Sequence, residues 1–149
     1  MTFRRATLAD VAIVTQLTRA AYTPWIAVIG REPMPLLVDY AEAILLHHID
    51  ILDQPNPIAL IEMVPMPDHL WLENLAVHPD HQGRGHGHQL LAHATANALS
   101  LNLPELRLLT NAAFTANLRF YAKQGFVQTD LQPFKDGHIA YFRKTLPET

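Results

Sequence analysis

The chain has 149 residues with no cysteine, 49% hydrophobic and 17% charged residues, and a formal net charge of -3. That length fits one domain, residues 1–149, with a core that needs no staple. The missing cysteine excludes disulfides, thiolate zinc sites and a cysteine nucleophile, and the scattered eleven Lys/Arg argue against nucleic acid or an anionic membrane as partner. No run approaches the roughly 18 apolar residues of a membrane span, and Met1 to Arg5 leads into no signal-peptide core, so a cytoplasmic location is expected.

Phe3 to Ala6 reads as a first strand. Thr7 lies three residues before Asp10, and Val11, Val14, Leu17 and Ala21 follow at helical spacing, predicting a helix near 8–22. Residues 23–35 mix Pro24, Gly30, Pro33 and Pro35 with Trp25, Ile26, Val28 and Ile29. That is too apolar for a solvated linker and too proline-rich for a regular element, so an ordered loop over the core is expected. Leu36 to His48 reads as a second helix, and Ile49–Asp53, Ile58–Val64 and Leu70–Val77 as an antiparallel meander of strands joined by proline-rich turns.

From near Arg84 a helix with a stripe at 87, 91, 94, 98 and 101 should run to about Ser100, before Pro104. Glu105–Thr110 reads as a strand and Ala113–Gln124 as a helix closed by Gly125. Phe126–Gln132 and His138–Lys144 read as a hairpin around Asp136-Gly137. The order predicts one α/β (α+β) domain, a mixed sheet with helices on both faces.

The most telling stretch is Gln82-Gly83-Arg84-Gly85-His86-Gly87, which joins the strand ending at Val77 to the long helix. The first N–H groups of a helix lack internal partners and carry about half a positive charge, and glycine lets an anion approach. The same glycines also suit a tight turn with close helix packing. A P-loop is excluded by the missing lysine and hydroxyl, and a dinucleotide fingerprint by a third glycine one position early and by the meander before it.

The segment Glu73 to Gly87, with Gln82, Gly85 and Gly87 on a Gln/Arg-x-x-Gly-x-Gly/Ala pattern, resembles motif A of the GNAT superfamily, the acyl-CoA-dependent N-acyltransferases. Asn111 through Asn117-x-x-x-Tyr121-x-x-x-Gly125-Phe126 is similar to its motif B. The resemblance implies a single domain with a mostly antiparallel seven-stranded sheet, splayed between strands four and five. It also implies acetyl-CoA as cosubstrate, its pantetheine arm along Leu75, Ala76 and Val77. The pyrophosphate would lie on the N–H groups of Gly83, Arg84, Gly85, His86, Gly87 and His88, with Gln82 in the motif and Asn117 and Tyr121 on the other side.

The implied chemistry is direct attack of a primary amine of a small molecule or peptide on the thioester, in a ternary complex. Tyr121 is then the candidate acid for the departing thiolate. Glu73 is the candidate base, four residues before Val77 and so expected on the same pleat face; a water chain is its alternative. Tyr22, Trp25, Ile29 and Arg31 fall where the family covers its acceptor, Arg31 as a partner for an acceptor carboxylate. The nine histidines lack converging ligand spacing, and no metal is expected. A non-catalytic acyl-CoA sensor or interaction module is the alternative function. A homodimer through residues 22–46 or the final hairpin is left open.

Overall fold

Thr7 follows the first strand and caps the helical turn that leads into the first helix. The Asp10 carboxylate accepts from the Thr7 N–H at 2.9 Å and from Arg4 Nη1 at 3.0 Å. These bonds, the Thr7 N–H first, hold Asp10 below the usual carboxylate range against its burial. They tie β1 (Thr2–Arg5) to α1 (Val11–Tyr22) through a 3-10 turn at Leu8–Asp10. The computed structural model describes residues 2–147.

The segment expected as a loop is ordered but contains helical turns, Thr23–Trp25 and α2 (Ile26–Ile29), then Met34–Leu37. The helix expected from Leu36 is shorter, α3 (Tyr40–Leu46). Val38 is extended, and the Asp39 carboxylate caps the helix by accepting from the Ala41 and Glu42 N–H groups. The chain is extended again at His47, and β2 (His48–Asp53) takes the residue expected to end the helix.

β3 (Pro57–Pro65) and β4 (Leu70–Val77) complete the meander, and α4 (His86–Ser100) crosses to β5 (Glu105–Asn111). α5 (Thr115–Lys123) precedes β6 (Val127–Phe134) and β7 (Gly137–Thr145). Their hairpin pairs out to Phe134 opposite Gly137, longer than expected, so the turn is Lys135-Asp136. The seven-stranded sheet runs β1-β2-β3-β4-β5-β7-β6, antiparallel throughout except β4 with β5.

Alternation along the strands splits the core into two layers. Val14, Leu17, Tyr40, Ile49, Ile51 and Leu60 form one with α1 and α3. Leu52, Ile61, Leu106 and Phe142 pack with Leu90, Leu91 and Ala94 of α4 in the other. Leu101 lies past the end of α4 and is exposed, so the expected stripe stops at Ala98.

Two irregularities position the site. β4 and β5 pair only at Leu70 with Leu106 and Trp71 with Arg107, then part. Just there β4 bulges: Met63 faces Leu72 but Glu62 faces Asn74, so Glu73 is the extra residue. The bulge resets the alternation. Leu70, Leu72, Leu75 and Val77 pack on the α4 layer, while Ala76 packs against α1 and Asn74 bonds to Thr18 of that helix. Glu73 therefore does not share the face of Val77, which corrects the simple pleat expectation.

Candidate functional site

Two cavities flank the place where β4 and β5 part, and Tyr22 lines both. The larger, about 650 Å³, has the Gln82–His88 loop and the start of α4 on one side and α5 on another. Gly85 sits at φ +83° as the residue before α4, and Gly83 is at φ +76°. A side chain at either would be strained, so the tight left-handed joint needs glycine. The first helical bond inside α4 is from the Gln89 N–H to the Gly85 carbonyl, at 3.1 Å. The N–H groups of His86, Gly87 and His88 thus have no intrahelical acceptor and lie at the cavity wall.

Gly87 has a different reason to be glycine. A Cβ there would come within 2.9 Å of the Phe120 ring, so glycine leaves room for that ring against the first turn of α4. The Gln82 side chain donates to the Val77 carbonyl at 3.1 Å, fastening the loop to the end of β4. Leu75 and Val77 line this cavity, while Ala76 turns its side chain into the opposite layer. Arg84 is exposed and its side chain is not part of the lining. The His86 ring bonds Gln89 at 2.8 Å, and the His88 ring bonds Gln124, which also lines the cavity, at 2.7 Å.

Asn117 and Tyr121 face this cavity from α5. Asn117 donates a long bond, 3.5 Å, to Thr110 Oγ1 of β5. Tyr121 is 8% exposed and its ring packs against Phe126 and Phe142. Burial pushes its phenol up, so it stays a donor at neutral pH. The Tyr22 hydroxyl donates to the Leu75 carbonyl at 3.3 Å, and burial first, then Tyr121, pushes that phenol up as well.

The smaller cavity, about 140 Å³, is made of side chains. Tyr40, Trp71, Phe114 and Phe134 give aromatic walls, and Ile29 and Arg31 close one side. Trp25 packs against Phe114 with the rings tilted by 31° and centroids 4.3 Å apart, and lines the larger cavity instead. Glu73 reaches this smaller cavity because of the bulge, and its Oε2 accepts from the Trp71 indole N–H at 2.6 Å.

Sequence reasoning missed three residues here. Glu62, 2% exposed, lies beside Glu73 with its carboxylate 2.6 Å from His47 Nδ1. Burial pushes its carboxyl up, and the His47 bond offsets only part of that. It carried the same signal as Glu73, a lone acid inside an apolar strand. Asn74 and Phe134 had no such signal, being a polar residue in a buried strand and an aromatic in a hairpin arm. Among the described residues no group of three His, Cys, Asp or Glu side chains is placed to hold a metal, and no helix is long and apolar enough to cross a membrane.

The model of the Acetyltransferase (GNAT) family matches residues 14–126. No curated protein matches the chain significantly in sequence. Among solved structures, PaiA N-acetyltransferase from Thermoplasma acidophilum, in complex with coenzyme A, superposes with a TM-score of 0.78 at 17% identity, covering 97% of this chain and 98% of that one. The ribosomal-protein-S18-alanine N-acetyltransferase from Escherichia coli gives 0.78 at 18% identity, covering 99% and 95%. A GNAT family acetyltransferase from Elizabethkingia anophelis with acetyl-CoA bound gives 0.73 at 19%, covering 97% of each chain. At these identities the likeness is one of fold.

Proposed function

The chain belongs to the acetyltransferase (GNAT) family, and from that premise we propose that it is an N-acetyltransferase that moves the acetyl group of acetyl-CoA to a primary amine. The carrying observation is the pair of cavities meeting at Tyr22, one walled by free backbone donors and the other by carboxylates. The N–H groups at the start of α4 suit a pyrophosphate. The open edge of β4 suits an extended amide-bearing arm, which would pair with its backbone as a further strand does. The Leu75 carbonyl already accepts from Tyr22, so that hydroxyl would share or yield the carbonyl.

In the proposed reaction the amine nitrogen attacks the acetyl carbonyl carbon. The new N–C bond forms, the C–S bond breaks, and the sulfur leaves with the bonding pair. Glu73 takes the proton the amine must lose. Tyr121 serves the sulfur. A phenol held above its ordinary pKa of about 10 is a weaker acid than a thiol near 8.5, so Tyr121 stabilises the leaving thiolate by a hydrogen bond more than by full proton transfer.

Two measurements test this reading. Acetyl-CoA should raise the melting temperature where NAD and ATP do not. Thiol release should then appear with at least one amine of a broad panel, with the acetylated amine detected by mass spectrometry. Binding without transfer to any amine would leave the sensor function in its place.

A further inference from the structure

Among the described residues, two buried side-chain polar atoms lack a protein partner, Arg31 Nε and Asn74 Oδ1, and both residues line the smaller cavity. One is a donor. The other is an acceptor, because the orientation of Asn74 is fixed by its neighbours. The Tyr40 hydroxyl commits its hydrogen to the Pro35 carbonyl at 2.8 Å, so the Asn74 atom 3.4 Å from it must be the amide nitrogen. That nitrogen also donates to Thr18 Oγ1 at 3.3 Å, leaving Oδ1 free. A buried polar atom left unpaired is costly, and on a residue that lines a cavity it gains a partner when the side chain turns to what enters.

The two atoms sit in unlike surroundings. Asn74 Oδ1 belongs to the part of the wall that carries Glu62 and Glu73, where a cation is favoured and an anion repelled. Arg31 belongs to the part near the β6–β7 turn, its guanidinium over the Phe134 ring at 5.7 Å. The carboxylate nearest to it, that of Asp136, is 3.9 Å away with its side chain 79% exposed. Such a loose exposed pair holds little, so an arriving carboxylate can replace it. Arg31 then gains the hydrogen bond its Nε lacks.

Size adds a limit. The room inside this partly open cavity, about 140 Å³, is close to that of an apolar cavity that takes up benzene, about 150 Å³. Resting on the acceptor reading above, we infer that the acceptor is a zwitterion: a primary ammonium and a carboxylate carried on an apolar body whose part inside the cavity is about the size of one aromatic ring. The ammonium goes to Asn74 Oδ1 and Glu73, the carboxylate to Arg31. A polyamine would bring a second cation to Arg31. A plain amine would leave Nε buried without a partner.

The test compares amines that differ only in the carboxylate: phenylalanine against phenylethylamine, leucine against isoamylamine, aminomethylbenzoate against benzylamine. With acetyl-CoA saturating, kcat/KM from thiol release should favour the acid by about tenfold or more in at least one pair. The ratio of acid to plain amine should fall to within about twofold in Arg31→Gln and stay partly preserved in Arg31→Lys. Acetyl-CoA should still raise the melting temperature of Arg31→Gln, which confirms that the variant is folded.

Acetylation of plain amines with no acid preferred overturns the zwitterion and leaves the acetyltransferase standing. A preference that survives Arg31→Gln overturns it too, as does acetyl-CoA binding with all three acids inert. No acetyl-CoA shift and no transfer at all would sink both readings.

Discussion

The two cavities meet at Tyr22 but are built on opposite plans. The larger takes its unpaired donors from the backbone of one run at the mouth of α4, His86 to His88, and faces them with the Asn117 and Tyr121 side chains of α5. The smaller takes its polar groups from side chains on β3, β4, β5 and the Ile29–Tyr40 stretch, with Phe134 and Ile139 of the β6–β7 hairpin adding apolar wall. A backbone site can be written into a few consecutive residues, because glycine at a positive φ shapes the loop wherever the fold places it. A side-chain site needs every contributing strand in register, and one bulge decides where Glu73 points.

The largest effect is expected where the two plans meet the reacting sulfur. Tyr121→Phe removes a hydroxyl and little volume, so kcat should fall about 100- to 1,000-fold while the KM for acetyl-CoA stays within about threefold. Steady-state kinetics that leave both constants unchanged would make Tyr121 a core aromatic only. Glu73→Gln should lower kcat/KM for the amine about 100-fold and remove the acid limb of its pH profile. If Glu62→Gln removes that limb instead, the base is the buried acid, with its upward-shifted carboxyl.

Smaller effects bear on why each side is built as it is. Gly87→Leu must displace the Phe120 ring, and should cost about 1–3 kcal/mol of stability, read from urea midpoints. An unchanged midpoint would mean that the Phe120 ring can move aside at no cost. The smallest is a pH effect at Glu62. Its carboxyl is raised on folding, so the native state binds more protons and stability falls as pH rises from about 4.3, the unfolded value, through the native one. Glu62→Gln lacks this loss, so its urea midpoint should gain on the wild type over that window and then run parallel. A constant gap across the window would show that the carboxylate is not strained by burial.

Much of the fold was legible. The meander before the glycine loop, the crossover helix and the final hairpin follow from alternation, turn residues and helical spacing, and the resemblance carried the splay of β4 from β5. The loop was legible because its conformational demands leave few residue choices. Three things were not. The short α3 depends on Asp39 capping after an extended Val38, which periodicity alone does not register. The side chain at Gly87 is excluded by Phe120, 33 positions away in the chain. Glu62, Asn74 and Phe134 gather only after β3, β4 and the hairpin are assembled, and the bulge that turns Glu73 toward them leaves no mark in hydropathy.

The division of labour between backbone and side chains is tested most directly by the dissociation constant of acetyl-CoA, measured by calorimetry on the wild type, Gly85→Val and Glu73→Gln. Gly85→Val forces a β-branched residue to φ +83° and should weaken binding at least about tenfold. Glu73→Gln should leave the constant within about twofold. Equal weakening by both, or by Glu73→Gln alone, would contradict the assignment of the cosubstrate to the larger cavity.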